Sequence, residues 1–432
     1  MTRAKTISFT KFEIKNQTYH FDYFIDEKIY TITLSHNFPS PLSETAQKTA
    51  LFNLGMCYLI DLAELLIPDK ILINYSLTDL QLQFWKSLYQ EVAKEKMYIY
   101  QLDLALLDAA WQINTEGQSF PIISIKNQKY RTLCVTGGKE SLSLLKLLKD
   151  QDDLLLFFLN PESNIHRQKV FDRVKNQFIA VRTISNRPEL IKELKQKYQT
   201  SFGSGVDMAH LVFNALFLGT KYVMIGNEYS SNYPNVMYQG YMINHQYIKS
   251  IHFAQKINRY IDECVTPDFE YYSPFFGLYE LNIAKRFFAD DEFLDVWTSC
   301  NHTTEDNNFC ANCAKCAFTY IISLVYVSEA FVTRYFSRDL LQDVALFKPM
   351  QDFTGEKPLD CVGEKIEVWT ILNILAERDE FKDKPVIRYF IEKIKPHIIQ
   401  ELPKFHKELY SIHTVPTQLP QDLQSLIEKV YR

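Results

Sequence analysis

Apolar strand-like runs alternate with helical patterns between residues 130 and 227, and this alternation limits the possible folds more than any other feature. The run at 153–159 is apolar almost throughout, as expected of a strand that is buried on both faces. Such alternation predicts an α/β fold with a doubly wound parallel sheet, in which ligands bind at the carboxyl ends of the strands. The predicted strands are 130–135, 153–159, 178–184 and 221–227, and the predicted helices are 141–150, 164–176, 188–198 and 206–218.

Different patterns on either side of this segment divide the 432-residue chain into three predicted parts. Residues 1–125 open with alternating apolar and polar side chains and continue with two helical patterns, which predicts an N-terminal α+β domain. Residues 126–330 contain the alternating segment and a cluster of cysteines. Residues 331–432 space apolar residues three and four apart, which predicts a helical C-terminal region whose last short helix opens at Pro420.

Composition excludes several classes of protein. The chain has 47 basic and 52 acidic residues and a net charge of −5, so it lacks the positive field that holds nucleic acid. A hydrophobic fraction of 47 % excludes an intrinsically disordered chain. The longest mostly apolar stretch, 317–327, is shorter than the ~20 residues of a membrane span. The first residues lack the apolar segment of a secretory signal, so we expect a cytoplasmic protein with no membrane partner.

The first predicted strand of the alternating segment runs into the Gly137-Gly138 pair, directly before a predicted helix. Glycines let the backbone approach an anion closely, and the N-terminus of a helix presents unpaired N–H groups to it. Hydroxyls of Thr136 and Ser141 and the charge of Lys139 would strengthen such a site. The sequence therefore predicts a phosphate loop, and a plain tight turn is the alternative.

The segment Thr136-Gly-Gly-Lys-Glu-Ser141 resembles the SGGxDS loop of the ATP pyrophosphatases, the PP-loop enzymes of the adenine nucleotide α-hydrolase-like fold. Those enzymes cleave ATP between its α- and β-phosphates and adenylate an oxygen of the substrate. Thr136 stands where the loop has serine, and Glu140 stands where it has aspartate. The resemblance implies that Glu140 holds Mg²⁺ and that the ATP phosphates contact Thr136, Gly137, Gly138, Lys139 and Ser141.

Asn227 and Glu228 follow the last predicted strand on the side where ligands bind to such a sheet. We expect them to contact the nucleotide or the substrate. An ordinary loop cap is the alternative.

Four cysteines fall within seventeen residues in the pattern C-x9-C-x2-C-x2-C. Thiolates at this spacing can close a tetrahedral site on a structural zinc ion, or they can hold an iron–sulfur cluster. Buried thiols without a metal are the third possibility, and the clustering favours zinc. Similar clusters occur in 7-cyano-7-deazaguanine synthase, a PP-loop enzyme whose zinc is structural. The proposed metal ligands are Cys300, Cys310, Cys313 and Cys316.

Three further blocks, at 226–250, 299–316 and 357–364, follow the glycine loop in this order. Together with the loop they resemble the UDP-N-acetylmuramoyl-L-alanyl-L-glutamate epimerases, which serve bacterial peptidoglycan synthesis. The resemblance implies inversion of the terminal glutamate of this nucleotide-linked muramoyl dipeptide. It also implies that ATP and Mg²⁺ are needed and that AMP and diphosphate are released.

Inversion at a carbon next to a carboxylate requires groups that remove and return a proton. Histidine titrates near neutral pH, and a cysteine does so when its pKa is modestly lowered. The candidates in the resembling blocks are His245, Lys249, Cys361 and Glu364. Lys285 and Arg286 are candidates for binding the phosphates or the glutamate side chain, with a solvated helix face as the alternative.

Two other functions are consistent with the sequence. A PP-loop ligase or nitrile synthase would use the same adenylation, with an amine rather than water ending the reaction. Such synthases are compact, whereas this chain extends far on both sides of the loop and the cysteines. A zinc-stabilised protein that binds ATP without cleaving it is the third possibility, and only the altered loop residues favour it.

Overall fold

The computed structural model describes residues 1–125, 128–201, 203, 205–300, 302–303, 308–353 and 356–413. Within these residues the strands are β1 Thr6–Lys15, β2 Thr18–Ile25, β3 Lys28–His36, β4 Lys70–Ile73, β5 Ala110–Ile113, β6 Arg131–Cys134, β7 Leu154–Leu159, β8 Ile179–Ser185, β9 Tyr222–Met224, β10 Val236–Tyr238, β11 Tyr241–Ile243 and β12 Glu270–Tyr272. The α-helices of the same residues are α1 Glu44–Leu66, α2 Asp79–Ile99, α3 Lys139–Leu148, α4 Ile165–Val174, α5 Arg187–Tyr198, α6 Asp207–Phe217, α7 Ile251–Cys264, α8 Glu280–Phe287, α9 Ala314–Tyr326, α10 Glu329–Phe336, α11 Val344–Gln351, α12 Lys365–Ala376, α13 Pro385–Tyr389, α14 Lys395–Ile398 and α15 Leu402–Leu409. The helix predicted at Pro420 lies outside the described residues.

One sheet contains ten of the described strands, in the order β12-β9-β6-β7-β8-β3-β2-β1-β4-β5. Strands β12, β9, β6, β7 and β8 pair in parallel, and the strands and helices predicted between residues 130 and 227 are confirmed with small shifts of their bounds. Strand β6 lies between β7, which is the next strand in the chain, and β9, which comes after β8 and the two helices α5 and α6. The winding direction therefore reverses beside β6, and open α/β sheets bind their ligands at such a point.

The N-terminal strands β1, β2 and β3 form an antiparallel meander that joins this sheet edge to edge. Strand β3 pairs antiparallel with β8, with Leu34 opposite Ser185 and His36 opposite Thr183. The sheet is therefore mixed rather than wholly parallel, and it continues across the predicted domain boundary at residue 125. An alternating pattern indicates a half-buried strand but does not identify its neighbour, so this junction was not predicted.

Helices cover both faces of the sheet, as the alternation of side chains along β7 shows. Leu155 and Phe157 point into the apolar core that also contains α1, α6 and α7. Leu156 and Phe158 point into a second core, which α3, α8 and α9 share with the helices that follow them. The mixed α/β architecture and the helical C-terminal region are thereby confirmed.

Helix α1 forms the centre of the first core. By length and composition alone it could cross a membrane, but the most apolar part of the helix is completely buried inside the protein. Helices α2 and α6 and strand β1 pack against it. Such burial is what a core helix of a large sheet protein requires.

A buried charge network ties α1 to the α/β half of the chain. Asp61 of α1 accepts hydrogen bonds from the backbone N–H of Val206 at 3.0 Å and pairs with Nε2 of His210 at 2.6 Å. The guanidinium of Arg187 lies 2.7 Å from Asp61 and 2.7 Å from Asp207. Asp61 is 1 % exposed, so its charge depends on these partners.

We expect Arg187→Met to destabilise the protein by about 3–5 kcal/mol, because it leaves the buried Asp61 carboxylate short of its strongest partner. Urea unfolding followed by circular dichroism measures the loss. Arg173→Met is the matched control, since Arg173 pairs with Asp295 at the surface, where such pairs contribute about 0–1 kcal/mol. Equal losses from the two variants would contradict the role given to Arg187.

Candidate functional site

The glycine loop lies at the carboxyl end of β6, next to the carboxyl end of β9. Residues from both strand ends, from the start of α3 and from the cysteine-rich segment surround a cavity of about 140 Å³. Gly226 permits the segment after β9 to approach the start of α3 closely, because a Cβ there would lie 2.9 Å from the Cβ of Glu140. The polar lining includes Thr136, Glu140, Ser141, Asn164, Arg167, Asn227, Lys249, Thr298, Ser299 and Lys315.

Backbone geometry at the loop suits an anion. Gly137 has φ of 85°, a conformation that favours glycine. The Ser141 hydroxyl accepts a hydrogen bond from the Thr136 N–H at 3.2 Å and donates to the Gly138 carbonyl at 3.1 Å, which fixes the loop. Gly138 at the N-cap of α3 has no side chain to cap the helix, and the Glu140 carboxylate folds back against its own backbone N–H. The start of a helix presents further N–H groups that suit an anion. The buried Ser299 hydroxyl also has no partner among the described residues.

A second cavity of about 110 Å³ adjoins the first and shares Thr136, Arg167 and Met208 with it. Its remaining walls are mostly apolar, from Val135, Phe157, Leu159 and Leu211. The side chain of Arg167 lies between the two cavities and donates from Nε to the Thr136 carbonyl at 3.3 Å. The combined space is polar at the glycine loop and apolar at the far end, which fits a base attached to phosphates.

Lys139 does not line the cavity, although it belongs to the loop. Its ammonium is buried and forms ion pairs with Glu140 and Glu280. Burial alone would lower the pKa of Lys139, but the two carboxylates outweigh burial and raise it. Burial raises the pKa of Glu280 to about 7, against the attraction of Lys139. The structure therefore places the Lys139 charge beneath the loop, where it offsets buried acids.

Three of the four acid–base candidates come together beside the cavity. Cys361 lies near both His245 and Lys249, which influence the pKa of its thiol, and the Gln246 amide joins the two segments by donating to the Val362 carbonyl at 3.3 Å. Lys249 lines the cavity, and its Nζ lies 3.7 Å from the Glu228 carboxylate. Nδ1 of His245 lies 2.9 Å from the carboxylate of Glu95 in α2. The arrangement thus combines the Cys361 thiol, the His245 imidazole and the Lys249 ammonium, and each of them has a charged group beside it.

The charges around Cys361 set the protonation states of this group. Burial alone would raise the pKa of Cys361, but Lys249, Lys315 and His245 lower it to about 6. Burial alone would lower the pKa of His245, but Cys361 and Glu95 raise it to about 10. Burial likewise opposes the charge of Lys249, whose pKa is nonetheless raised by Cys361 and Glu228. These shifts favour a Cys361 thiolate at neutral pH, stabilised by the three cationic side chains of Lys249, Lys315 and His245.

The remaining candidates lie elsewhere or have other partners. Glu364 caps the first turn of α12 and pairs with Lys357 at the edge of a separate cavity of about 450 Å³. Lys285 lies on the exposed face of α8, and neither it nor Arg286 lines the cavity at the glycine loop. Asn227 lines that cavity while its amide donates to the Tyr271 hydroxyl.

The ligand atoms of the four clustered cysteines lie within 4.8 Å of one another. Backbone N–H groups already donate to two of the sulfurs, from Cys310 to Cys300 at 3.3 Å and from Cys316 to Cys313 at 3.4 Å. Four converging thiols with N–H donors fit a tetrahedral metal ion. The lining residues Ser299 and Lys315 flank these ligands, so the cluster holds part of the cavity wall in place.

Hydrogen bonds connect the cluster to both halves of the site. The Thr298 N–H donates to the Gly137 carbonyl at 3.0 Å, which joins the cysteine segment to the glycine loop. The Lys315 N–H donates to the Asp360 carboxylate at 3.1 Å, which holds the segment that carries Cys361. A metal ion at the cysteines would therefore order the loop and the thiol together.

Sequence reasoning missed several residues that the structure brings to the site. Lys315 stands between two proposed metal ligands and could have been found from that position. Ser299 adjoins Cys300 and could have been found in the same way. Arg167 and Glu95 belong to ordinary helical segments and carry no local signal, since their partners Thr136 and His245 are 31 and 150 residues away in the chain.

Two family models match the chain. Residues 1–274 match the MurL N-terminal domain, and residues 296–404 match the MurL C-terminal domain. The first model alone covers more than half of the 432 residues. The boundary between the models falls after β12, so the first model takes in the whole ten-stranded sheet.

Several curated relatives carry the name UDP-N-acetyl-alpha-D-muramoyl-L-alanyl-L-glutamate epimerase. The protein from Xanthomonas oryzae pv. oryzae is 31 % identical over 204 residues, which cover 45 % of each chain. The protein from Salinispora tropica is 28 % identical over 299 residues, which cover 64 % of this chain and 63 % of the relative. The match thus spans less than two thirds of each relative's length. No solved structure matches the chain.

We expect iodoacetamide to alkylate Cys361 with a midpoint near pH 6, because the thiolate is the reactive form and its neighbours stabilise it. Mass spectrometry of the peptide that contains Cys361 gives the rate at each pH. Lys249→Met should raise the midpoint towards the ~8.5 of a free thiol, since it removes a positive charge. Cys264 is the internal control, because burial raises its pKa to about 11. A midpoint above pH 8 in the unmodified protein would contradict the assignment.

Proposed function

This chain belongs to the MurL family, and from that premise we propose that it is an ATP-dependent epimerase acting on UDP-N-acetylmuramoyl-L-alanyl-L-glutamate. The proposed reaction inverts the terminal L-glutamate to D-glutamate for peptidoglycan precursor synthesis in the cytoplasm. The observation that carries the proposal is that Lys249 lines the cavity below the glycine loop while Cys361 lies near both Lys249 and His245.

The nucleotide would occupy the two adjoining cavities. The apolar walls of the second cavity suit the adenine ring, and the helix N-terminus of α3 suits the phosphates. Glu140 lines the first cavity and supplies a carboxylate for Mg²⁺. Attack of the glutamate α-carboxylate on the α-phosphorus of ATP would form an acyl adenylate and release diphosphate. This removes the negative charge of the carboxylate, which makes the neighbouring α-proton easier to take.

Proton transfer falls to the cluster around Cys361. The thiolate accepts the α-proton, and the electron pair of the broken C–H bond moves onto the activated carbonyl. The Lys249 ammonium lies close enough to the cavity to stabilise the oxygen that gains this charge and to return a proton to the carbon. Water then releases AMP and the inverted product, and solvent restores the two protonation states.

We propose zinc as the metal at the four cysteines, in a structural role. The chemistry of the donor set supports it, since four thiolates close a tetrahedral site and leave no open position for a substrate. The metal would act indirectly, by holding the segments that carry Ser299, Lys315 and Asp360 against the loop.

Incubation with ATP, Mg²⁺ and the muramoyl dipeptide in deuterated water tests the function. We expect AMP, deuterium at the glutamate α-carbon and D-glutamate after hydrolysis. Cys361→Ser should lower deuterium incorporation about 10²- to 10⁴-fold, because it removes the proposed base. AMP formation should persist in this variant, since the nucleotide cavity is unchanged. Cys264→Ser is the control, because Cys264 is a core residue outside the site.

Other outcomes separate the competing functions. AMP without deuterium would favour a ligase that ends the same activation with an amine. ATP binding without AMP would favour a protein that binds the nucleotide only. Deuterium incorporation that is equal in Cys361→Ser and the unmodified protein would move the base to another residue.

We expect the purified protein to contain about one zinc ion per chain, which mass spectrometry of the metal content measures. Cys313→Ser should lose the metal, lower the melting temperature and weaken ATP binding, because the wall of the cavity loses its anchor. Cys264→Ser should do none of these. Detection of iron together with visible absorbance would show that the cysteines hold an iron–sulfur cluster instead of zinc. A metal-free protein of normal stability would contradict the proposed structural role of the metal.

A further inference from the structure

Glu95 reaches the site from α2, a helix that no motif in the sequence connects with it. The carboxylate is 5 % exposed, and its two oxygens lie 2.9 and 3.0 Å from Nδ1 of His245. The His245 backbone N–H is fixed as well, because it donates to Asn235 at 2.9 Å. Ring and backbone of His245 are therefore both held, and the ring is oriented by a carboxylate.

The surroundings of Glu95 keep its charge available for His245. Lys96 is next to it in the chain, but its ammonium donates to the carbonyls of Leu65 at 2.7 Å and Ser201 at 2.6 Å. Glu64 of α1 lies nearby and accepts a hydrogen bond from the Gly203 N–H at 3.0 Å. Among the described contacts of the Glu95 carboxylate, His245 is the partner within ion-pair distance.

We infer that Glu95 is a positioning residue, and that Glu95, His245 and Cys361 form a carboxylate–imidazole–thiol relay. Glu95 accepts the hydrogen on Nδ1 and so leaves Nε2 as the ring nitrogen that exchanges a proton with the thiol. When Cys361 has taken a proton, that proton can pass from Sγ to Nε2 only after Nε2 has released its own to water. The inference rests on the proposed function only for its effect on catalysis, not for the geometry of the relay.

The charged groups around the relay define what a change at Glu95 does. His245 faces Glu95 on one side and Cys361 on the other, and Cys361 also faces Lys249 and Lys315. Replacing the Glu95 carboxylate by an amide removes the negative charge that holds the imidazolium. His245 should then become neutral at lower pH, with either ring nitrogen free to carry the hydrogen.

Nitrogen NMR of the full-length protein with ¹⁵N-labelled histidine tests the relay without any substrate. His245→Gln identifies the signals. In the unmodified protein we expect both ring nitrogens of His245 to stay protonated at pH 7. In Glu95→Gln the titration midpoint should fall by about one to three pH units, the range for removal of an adjacent opposite charge. Glu91→Gln is the matched control, one turn earlier on α2, where Glu91 pairs with Lys94.

Two results would overturn the inference. One is a neutral His245 at pH 7 in the unmodified protein, and the other is an unchanged midpoint in Glu95→Gln. Should Glu95→Gln fail to fold, Glu95→Asp keeps the charge but shortens its reach. It should then shift the midpoint in the same direction by a smaller amount, and an unchanged midpoint in a folded Glu95→Asp counts against the relay.

Activity measurements add the catalytic consequence. With the muramoyl dipeptide, Glu95→Gln should lower kcat about 10²-fold and leave KM nearly unchanged, because Glu95 does not touch the substrate. The two failures are distinguishable. If the protein does not epimerise the dipeptide but the NMR shift occurs, the relay stands and the substrate assignment falls. If epimerisation occurs and the shift does not, the relay falls alone.

Discussion

The antiparallel pairing of β3 with β8 is the contact on which the rest of the architecture depends. It turns an N-terminal meander and a parallel α/β sheet into one continuous sheet. Because the sheet is continuous, α1 and α2 lie on the same face as α6 and α7 and share one apolar core with them. That common layer carries Glu95 to His245, across 150 residues of sequence.

The protein also buries several charged side chains, and most of them lie next to a side chain of opposite charge. Isolated buried ions are costly, so each acid in these cores lies against a cation or a set of N–H donors. Arg187 pairs with Asp61 and with Asp207, which lines the second cavity, whereas Lys139 offsets the acids beneath the glycine loop. At Cys361 positive charge is in excess, since a single thiol faces three cationic side chains. The first two arrangements contribute to stability, and in the proposed function the third stabilises the thiolate that acts as the base.

Sequence reasoning reached the local elements and the motifs, because these are encoded by periodicity and short spacing. The alternation of strands and helices after residue 130, the glycine turn and the clustered cysteines all have local signatures. The orientation of Lys139 away from the cavity has none, since it depends on Glu280 in a distant helix. Glu364 was an acid–base candidate because of its block, and its place at the N-cap of α12, beside Lys357, follows from tertiary packing. Partners fixed by tertiary packing, such as Glu95, could not be read from spacing at all.

Helix α1 has a consequence for how the chain is made. Its most apolar stretch is fully covered in the folded protein, and part of that cover is α6, whose last residue lies 151 positions after the end of α1. At about 5–20 residues per second, a ribosome needs roughly 8–30 s to supply that cover. During this interval the nascent chain displays a segment with the length and hydropathy of a membrane span. Synthesis of this protein therefore requires that the emerging helix be shielded from membranes and from other chains until its partner arrives.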